Sequence, residues 1–395
     1  MKCKITKSII KPFMSFGKMP LANGFLSEKD FKKEFFYNLE VGFSKKLSLL
    51  QINEHPKPTQ MFNKSYPFFT GSSKFMQIHF QNYANFINKK LKIGSNLIEI
   101  GSNDGTFLSN FDEKKINVLG IEPSKNVSDL ARKKGIKSIN KFFNKDLLNS
   151  IKINKHNTDI ITAANVICHV PNLKNLIETI DSLLNKNGKF IFEEPYMGSM
   201  FKKTSYDQIY DEHIYMFSCT SIKKIFGLFD LYLVDAIPQI THGGSMRYII
   251  SRKKNETVNL NRILDQEKKM NLDNLQSCLE FKKNCEISKY KLNKKINDFL
   301  KKGKTISGYA ATSKSTTILN YCNIGKDKIN YICDTTKDKI NKFSPGKHIP
   351  IKDMKYFRNN KTDFVFLFGW NHKKEIFKKE KKFIKKNQWF SHITL

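Results

Sequence analysis

The stretch Leu97-Ile98-Glu99-Ile100-Gly101-Ser102-Asn103-Asp104-Gly105-Thr106 decides how this chain folds. The run Asn96 to Ile100 is short and apolar, as a buried strand is. Gly101 lets the backbone turn tightly, and Gly105 permits a close approach of ligand and helix. The segment Phe107 to Phe111 is expected to begin that helix. Eighteen residues beyond Asp104 stands Glu122, after the apolar run Val118-Leu-Gly-Ile121 and before Pro123. A carboxylate at the end of that second strand can hold both hydroxyls of a ribose. The spacing is E-x-G-x-x-x-G rather than G-x-G-x-x-G, which argues against a nicotinamide dinucleotide. The motif reads either as a nucleoside-cofactor site or as a structural turn, and Glu122 favours the cofactor site.

Working outward, short apolar runs keep alternating with helical patterns. Asp159 to Ala163 reads as a strand, Leu173 to Leu184 as a helix and Lys189 to Phe192 as a strand. Val127 to Lys134 reads as a helix between two of them. Such alternation predicts an α/β fold built on a parallel, doubly wound sheet. Upstream, Ser73 to Leu91 is helical, with Phe75, Ile78, Phe86 and Ile87 as its apolar positions. Residues 1–75 read as a small irregular N-terminal domain with one short strand, Leu47 to Ile52, and a turn-rich aromatic segment, Tyr66 to Ser73. Residues 76–254 hold the sheet. Residues 255–395 begin with charged helices, where Leu272, Leu275 and Leu279 keep the spacing of one apolar face. A second, smaller Rossmann-like pattern follows, with strands near Thr305, Tyr331 and Asp363.

The 395 residues allow two or three domains. The net charge is +33, from 69 basic and 36 acidic residues. The lysines are spread along the whole chain and no aromatic-interleaved basic tract stands out, so composition explains the charge better than a nucleic-acid site does. That positive field would still attract phosphorylated small molecules. Seven scattered cysteines include no C-x-x-C pair and read as buried thiols. No apolar stretch approaches the ~20 residues of a membrane span, and no secretory leader is visible. The expectation is a cytoplasmic monomer with no membrane or nucleic-acid partner.

The chemistry concentrates in Tyr206 to Ser218, where Tyr210, Glu212 and His213 place a phenol, a carboxylate and an imidazole within four residues. Such a set can remove and manage a proton. Asn165 and His169 leave the end of a strand, where open α/β sheets bind ligands. His242-Gly243-Gly244-Ser245, with Arg247, is a glycine-flexed loop that can meet a sugar or a diphosphate, or serve as a tight turn. Gly308 to Lys314 lies at a strand–helix junction suited to a nucleotide phosphate.

Taken in order, Glu99-Ile-Gly-Ser-Asn-Asp-Gly105, Gly120-Ile-Glu-Pro-Ser124, Asn165-Val-Ile-Cys-His-Val170, Glu194-Pro-Tyr196, Ile209-Tyr-Asp-Glu-His213, Tyr215-Met-Phe-Ser218 and His242-Gly-Gly-Ser-Met-Arg247 resemble the class I S-adenosylmethionine-dependent sugar C-methyltransferases. That family acts at C3 of nucleotide-linked 4-keto-deoxysugars. Gly308-Tyr309-Ala-Ala-Thr-Ser-Lys314, Asp334, Lys339 and Trp370-Asn371 fit its C-terminal part. The resemblance implies S-adenosylmethionine at Glu99, Gly101, Ser102, Asn103, Asp104, Gly105, Glu122, Pro123 and Asn165. It implies a nucleotide-diphosphate sugar near His242 to Ser245, Arg247, Gly308, Tyr309, Lys314, Asp334 and Asn371. It implies that His213 removes the C3 proton, with Glu212, Tyr210, His169 and Tyr66 around the keto oxygen.

Two departures matter. The family's four zinc cysteines fall here on Cys3, Thr6, Ser44 and Leu47, so no zinc is expected, and Phe35, Phe36, Leu39 and Phe43 are expected to hold the lobe. Asp211 stands where the family usually has histidine, and its charge would favour protonated His213 unless it points away. The alternatives are an O- or N-methyltransferase of another small molecule, an RNA-binding methyltransferase, and a non-catalytic binding module.

Overall fold

The computed structural model describes residues 1–64, 66, 68–150, 154–383, 385 and 388–394; Pro67 of the turn-rich segment lies outside them. Sixteen strands are formed by these residues. In chain order they are β1 (Pro12–Pro20), β2 (Phe36–Ser44), β3 (Leu49–Ile52), β4 (Asn96–Ile100), β5 (Asn117–Ile121), β6 (Ser138–Ile139), β7 (Thr158–Ala164) and β8 (Leu184–Pro195). There follow β9 (Tyr215–Met216), β10 (Tyr232–Gln239), β11 (Ser245–Ser251), β12 (Ile306–Tyr309), β13 (Ile332–Cys333), β14 (Ile351–Lys352), β15 (Phe364–Leu367) and β16 (Trp389–Phe390).

The central sheet has the order β10-β11-β8-β7-β4-β5-β6. β4, β5, β6, β7 and β8 run parallel, and their apolar runs bury both faces, as interior parallel strands do. β11 is antiparallel to both β8 and β10, so the sheet is mixed rather than wholly parallel as expected. The order reverses between β4 and β7, and ligands of open α/β sheets sit in the crevice at that switch point. The expected helix from Phe107 is a single 3-10 turn, Leu108–Asn110, where Phe107 and Leu108 are buried. In helix Lys74–Asn88 the buried face is Met76, Phe80, Tyr83, Ala84 and Ile87, while Ile78 is half exposed. An i, i+4, i+7, i+8, i+11 register beat the one read from the sequence.

The C-terminal sheet, β14-β13-β12-β15-β16, is parallel throughout and reverses between β12 and β15. Helix Leu275–Lys301 buries Cys278, Phe281, Cys285, Leu292 and Ile296 and leaves Leu279 exposed. No described helix is long and apolar enough to cross a membrane.

The N-terminal sheet has the order β1-β2-β3-β9. Its last strand comes from the stretch Tyr206 to Ser218: β3 pairs with Tyr215–Met216, and Ile52 N–H bonds the Ile214 carbonyl at 3.0 Å. Leu39 and Phe43 are buried as expected, but Phe35 and Phe36 are exposed by more than two-fifths; Met14, Val41, Leu49 and Leu50 fill the core instead. All seven cysteines are free and buried. Burial acts to raise the Cys3 thiol pKa, but the hydroxyl of Thr6, the backbone N–H groups of Thr6 and Ile5 and the hydroxyl of Ser44 outweigh it and lower the value.

Candidate active site

A cavity of about 1260 Å³ opens at the switch point and is lined by segments from the N-terminal, central and C-terminal parts of the chain. The central sheet contributes Gly101, Asn103, Glu122, Pro123, Asn165 and His169; the stretch after β8 contributes Tyr210, Glu212, His213 and His242. The C-terminal sheet contributes Thr312, Ser313, Lys314, Asp334, Thr336, Lys337, Lys339, Asn371 and His372, and the N-terminal region adds Asn23, Tyr66, Phe68 and Phe69. Many of the sequence-derived candidates therefore converge from three separate parts of the chain.

At the glycine turn, Gly101 has a φ of +68°, and a Cβ there would stand 2.4 Å from Val166 Cγ2. Only glycine leaves that passage open. The Glu122 carboxylate accepts hydrogen bonds from the N–H groups of Asn103 at 3.0 Å and Ser124 at 2.7 Å, which aims it along the turn. Burial raises its pKa, and those two N–H groups work against the rise. The segment Phe68 to Gly71 folds over the turn. Thr70 N–H donates to Asn103 Oδ1 at 3.0 Å, Gly71 N–H to Asp104 Oδ2 at 3.0 Å, and Asn103 Nδ2 to the Phe68 carbonyl at 3.1 Å.

Other residues of the motif support the turn without lining the cavity. Asp104 holds Gly71 and forms an ion pair with Lys134 at 3.3 Å. Gly105 faces the helix Lys125–Lys133, where a Cβ would meet Ala131 Cβ at 3.2 Å. Ser102 and Glu99 are buried beside the strands, and burial followed by the charges of Glu122 and Asp104 raises the Glu99 pKa.

His213 is held at both nitrogens. Nδ1 lies 2.7 Å from the Gln208 carbonyl, which only accepts, so Nδ1 carries the proton. Nε2 then has its lone pair free and takes a hydrogen bond from the Tyr210 hydroxyl at 2.9 Å. Burial pushes the imidazole pKa down to about 4, with the Lys314 charge adding to the fall, so His213 is neutral at pH 7. His169 stacks on it with ring centroids 5.3 Å apart, and its own pKa is also depressed by burial and by His213. Tyr210 and Tyr66 keep their protons, because burial and then the Glu212 charge push both phenols well above their ordinary value.

Asp211 points away from His213. Its Oδ1 accepts the Ala22 N–H at 3.1 Å, and Glu212 Oε1 accepts Asn23 Nδ2 at 2.6 Å. Burial raises both carboxyl pKa values, and the charge of Glu212 raises Asp211 further. The segment Pro20-Leu-Ala-Asn23 thus holds the Asp211 and Glu212 carboxylates, and Thr316 Oγ1 secures it by donating to the Ala22 carbonyl at 2.8 Å. In the sequence Asn23 lies in the irregular N-terminal region, and nothing local announces a partner 189 residues away.

Several residues expected at a sugar site lie outside the cavity. Arg247 pairs with Glu193, its Nη2 2.6 Å from Oε1, and its guanidinium lies over the Tyr83 ring. Ser245 Oγ donates to the Thr241 carbonyl at 3.1 Å. Gly243 packs on Trp370 and Gly244 on Ser199. Gly308 packs on Phe368 and Ile332, and the Tyr309 hydroxyl donates to the buried Glu380 at 3.1 Å. The strand–helix junction presents Thr312, Ser313 and Lys314 instead, at the N-terminus of the helix Ser313–Tyr321. Buried polar atoms without a partner cluster at the cavity, among them Asn165 Oδ1, His169 Nε2 and His242 Nε2. Such atoms mark places where a bound ligand completes the hydrogen bonding.

Three family models match the chain in succession: "Putative zinc binding domain" over residues 3–62, "Methyltransferase domain" over 75–236, and "C-methyltransferase C-terminal domain" over 240–393. The chain is 25% identical to C-methyltransferase NovU of Streptomyces niveus over 377 residues, which is 94% of this chain and 90% of the relative. Among solved structures, the CurJ carbon methyltransferase has a TM-score of 0.37 and 16% identity over 46% of this chain and 56% of its own. Magnesium protoporphyrin IX methyltransferase of Synechocystis PCC 6803 has a TM-score of 0.34 and 14% identity over 45% of this chain and 79% of its own. The first matched region holds one cysteine, Cys3, and one histidine, His55, which is short of the four thiolate or imidazole donors of a structural zinc site. The order of the three matched regions and the near full-length relative mark an S-adenosylmethionine-dependent methyltransferase that is similar along its length to C-methyltransferases.

Proposed function

We propose that the chain methylates C3 of a nucleotide-linked 4-keto-deoxysugar through an enolate made by its own base. One observation carries the reading: a neutral, doubly anchored His213 faces the same cavity as the glycine turn and Glu122. A ketone acidifies the neighbouring C–H, and a positioned imidazole can then take that proton. His213 Nε2 accepts the C3 proton, the C–H electron pair becomes the C3–C4 double bond, and the carbonyl π pair moves onto the keto oxygen. The protonated Tyr210 hydroxyl, beside Nε2, donates a hydrogen bond to that oxygen as charge develops. Glu212, fixed by Asn23 and facing the Lys339 charge, orients the stretch. Gly101, Asn103, Glu122 and Asn165 hold S-adenosylmethionine, and their open passage and unpartnered Asn165 Oδ1 fit it. When bound, that cofactor supplies an electrophilic methyl group.

The cavity exceeds the ~300–1,000 Å³ usual for a single ligand, which suits a cofactor and a nucleotide sugar together. At its far end, the N-terminus of helix Ser313–Tyr321 and the side chains of Lys314, Lys337 and Lys339 favour an anion such as a diphosphate. The test is incubation with a panel of nucleotide-4-ketosugars and methyl donor, followed by mass spectrometry. One panel member is expected to gain a methyl group and to exchange its C3 proton for deuterium without the cofactor. No gain with any member rejects the substrate class; a gain without C3 exchange supports O-methylation instead.

A further inference from the structure

The wall of the cavity holds a second constellation, which the methyl-transfer reading uses only in part. Cys168, His169 and His213 each present one donor atom, and the three atoms lie within 4.8 Å of one another. Among the described residues this is the single such group of histidine, cysteine and carboxylate donors. Cys168 and His169 end the 3-10 turn Ile167–His169 after β7, and the Ile214 N–H bonds the Cys168 carbonyl at 2.9 Å, fastening this turn to the His213 stretch. His169 Nε2 is buried without a partner. His213 Nδ1–H is committed to the Gln208 carbonyl at 2.7 Å, which leaves Nε2 as a ligand atom; metal-binding histidines are fixed in this way.

We propose that Cys168, His169 and His213 form a site for a borderline-soft divalent cation, of which zinc is the type, at the wall of the methyl-transfer cavity. One thiolate and two imidazoles select zinc, cobalt(II) or copper over magnesium and calcium, which prefer oxygen. Three protein ligands leave the fourth tetrahedral position open to the cavity, where a water or the Tyr210 hydroxyl completes the shell. Donors of a tetrahedral zinc site stand roughly 3.3–3.8 Å apart given bonds of ~2.0–2.3 Å, so the three side chains close in by about an ångström. On loading, the Cys168 S–H bond gives way to a sulfur–metal bond and the proton leaves to solvent. No electron transfer is involved. Metal and proton abstraction then compete for the same His213 lone pair, so the loaded chain is unable to form the enolate; that last consequence alone rests on the proposed function.

The experiment uses the full chain, stripped with a chelator and titrated with zinc chloride and, separately, cobalt chloride. One equivalent is expected to bind, with a thiolate-to-cobalt charge-transfer band, and Cys168→Ser or His169→Gln is expected to weaken affinity by at least ~10²-fold. Cys3→Ser is expected to leave binding unchanged. X-ray absorption of the zinc-loaded wild type is expected to show one sulfur at ~2.3 Å and two nitrogens at ~2.0–2.1 Å. That measurement decides the matter even where a variant does not fold. No stoichiometric binding, a shell without sulfur or with two sulfurs, or binding lost with Cys3→Ser but kept with Cys168→Ser overturns the proposal. These readouts need no methyl transfer, so they stand apart from the substrate assignment.

Discussion

Replacing His213 with glutamine is the sharpest test of the proton-removal reading. Glutamine retains an amide N–H able to reach the Gln208 carbonyl, now bonded at 2.7 Å, but has no lone pair of useful basicity where Nε2 stands. General-base catalysis contributes about 10²–10⁴-fold, which at 1.36 kcal/mol per factor of ten is roughly 3–5 kcal/mol of barrier. The structural cost is smaller. If the amide misses the Gln208 carbonyl, one buried acceptor is left unpaired, at about 1–3 kcal/mol of folding stability. The two effects separate in assay. Deuterium uptake at C3 of the keto-sugar, without methyl donor, reads the base alone, and calorimetry with S-adenosylhomocysteine reads the cofactor end. Exchange should fall by at least ~10²-fold while cofactor affinity stays within a few-fold. The pH profile adds a sign. The base works neutral and its pKa is held near 4, so its acid limb should lie near pH 4 and leave activity flat on its account from pH 5 to 8. Exchange within threefold of wild type in a folded H213Q protein would refute the assignment.

Further outcomes follow from the same structure. Asn23→Ala removes the 2.6 Å hydrogen bond to Glu212, which should raise that carboxyl pKa further and slow exchange by about 10–10²-fold, shifting the pH profile rather than the substrate KM. Trp370→Phe deletes the 2.7 Å donor to the buried Asp207 carboxylate and should cost about 1–3 kcal/mol in urea unfolding. Glu194 is raised from 4.5 to about 7 by burial, so the folded state holds a proton that the unfolded chain releases near 4.5. Its contribution therefore makes stability fall as pH rises from about 4.5 to 7 and level off above, and Glu194→Gln should flatten that slope in denaturant titrations across the window.

Much of the scaffold is legible in the sequence because its signals are local. Strands β4, β5 and β7 are short, mostly apolar runs, and the glycine turn follows β4 directly. The acid–base stretch also announces itself, since Tyr210, Glu212 and His213 lie within four residues. Other readings failed where local pattern was ambiguous. Ile78 and Leu279 fit an apolar helical spacing but face solvent, because neighbouring registers buried larger faces. Tyr309 and Arg247 fit a binding motif, yet pairing with Glu380 and Glu193 drew them into the interior. The concern over Asp211 was a matter of direction alone, and its carboxyl turns to Ala22.

The sequence by itself determined the parallel strands β4, β5, β7 and β8 and the glycine turn with Glu122, and it named Tyr210, Glu212 and His213 as the candidates for moving a proton. These depend on two short-range quantities, the period of apolar residues and the conformational freedom of glycine. Only the tertiary structure decided that Asn23 grips Glu212, that Tyr215–Met216 completes the N-terminal sheet, and that Cys168 and His169 stand against His213. Hydrogen bonding and burial select those partners after the chain has collapsed, and no periodicity records a contact across 189 residues.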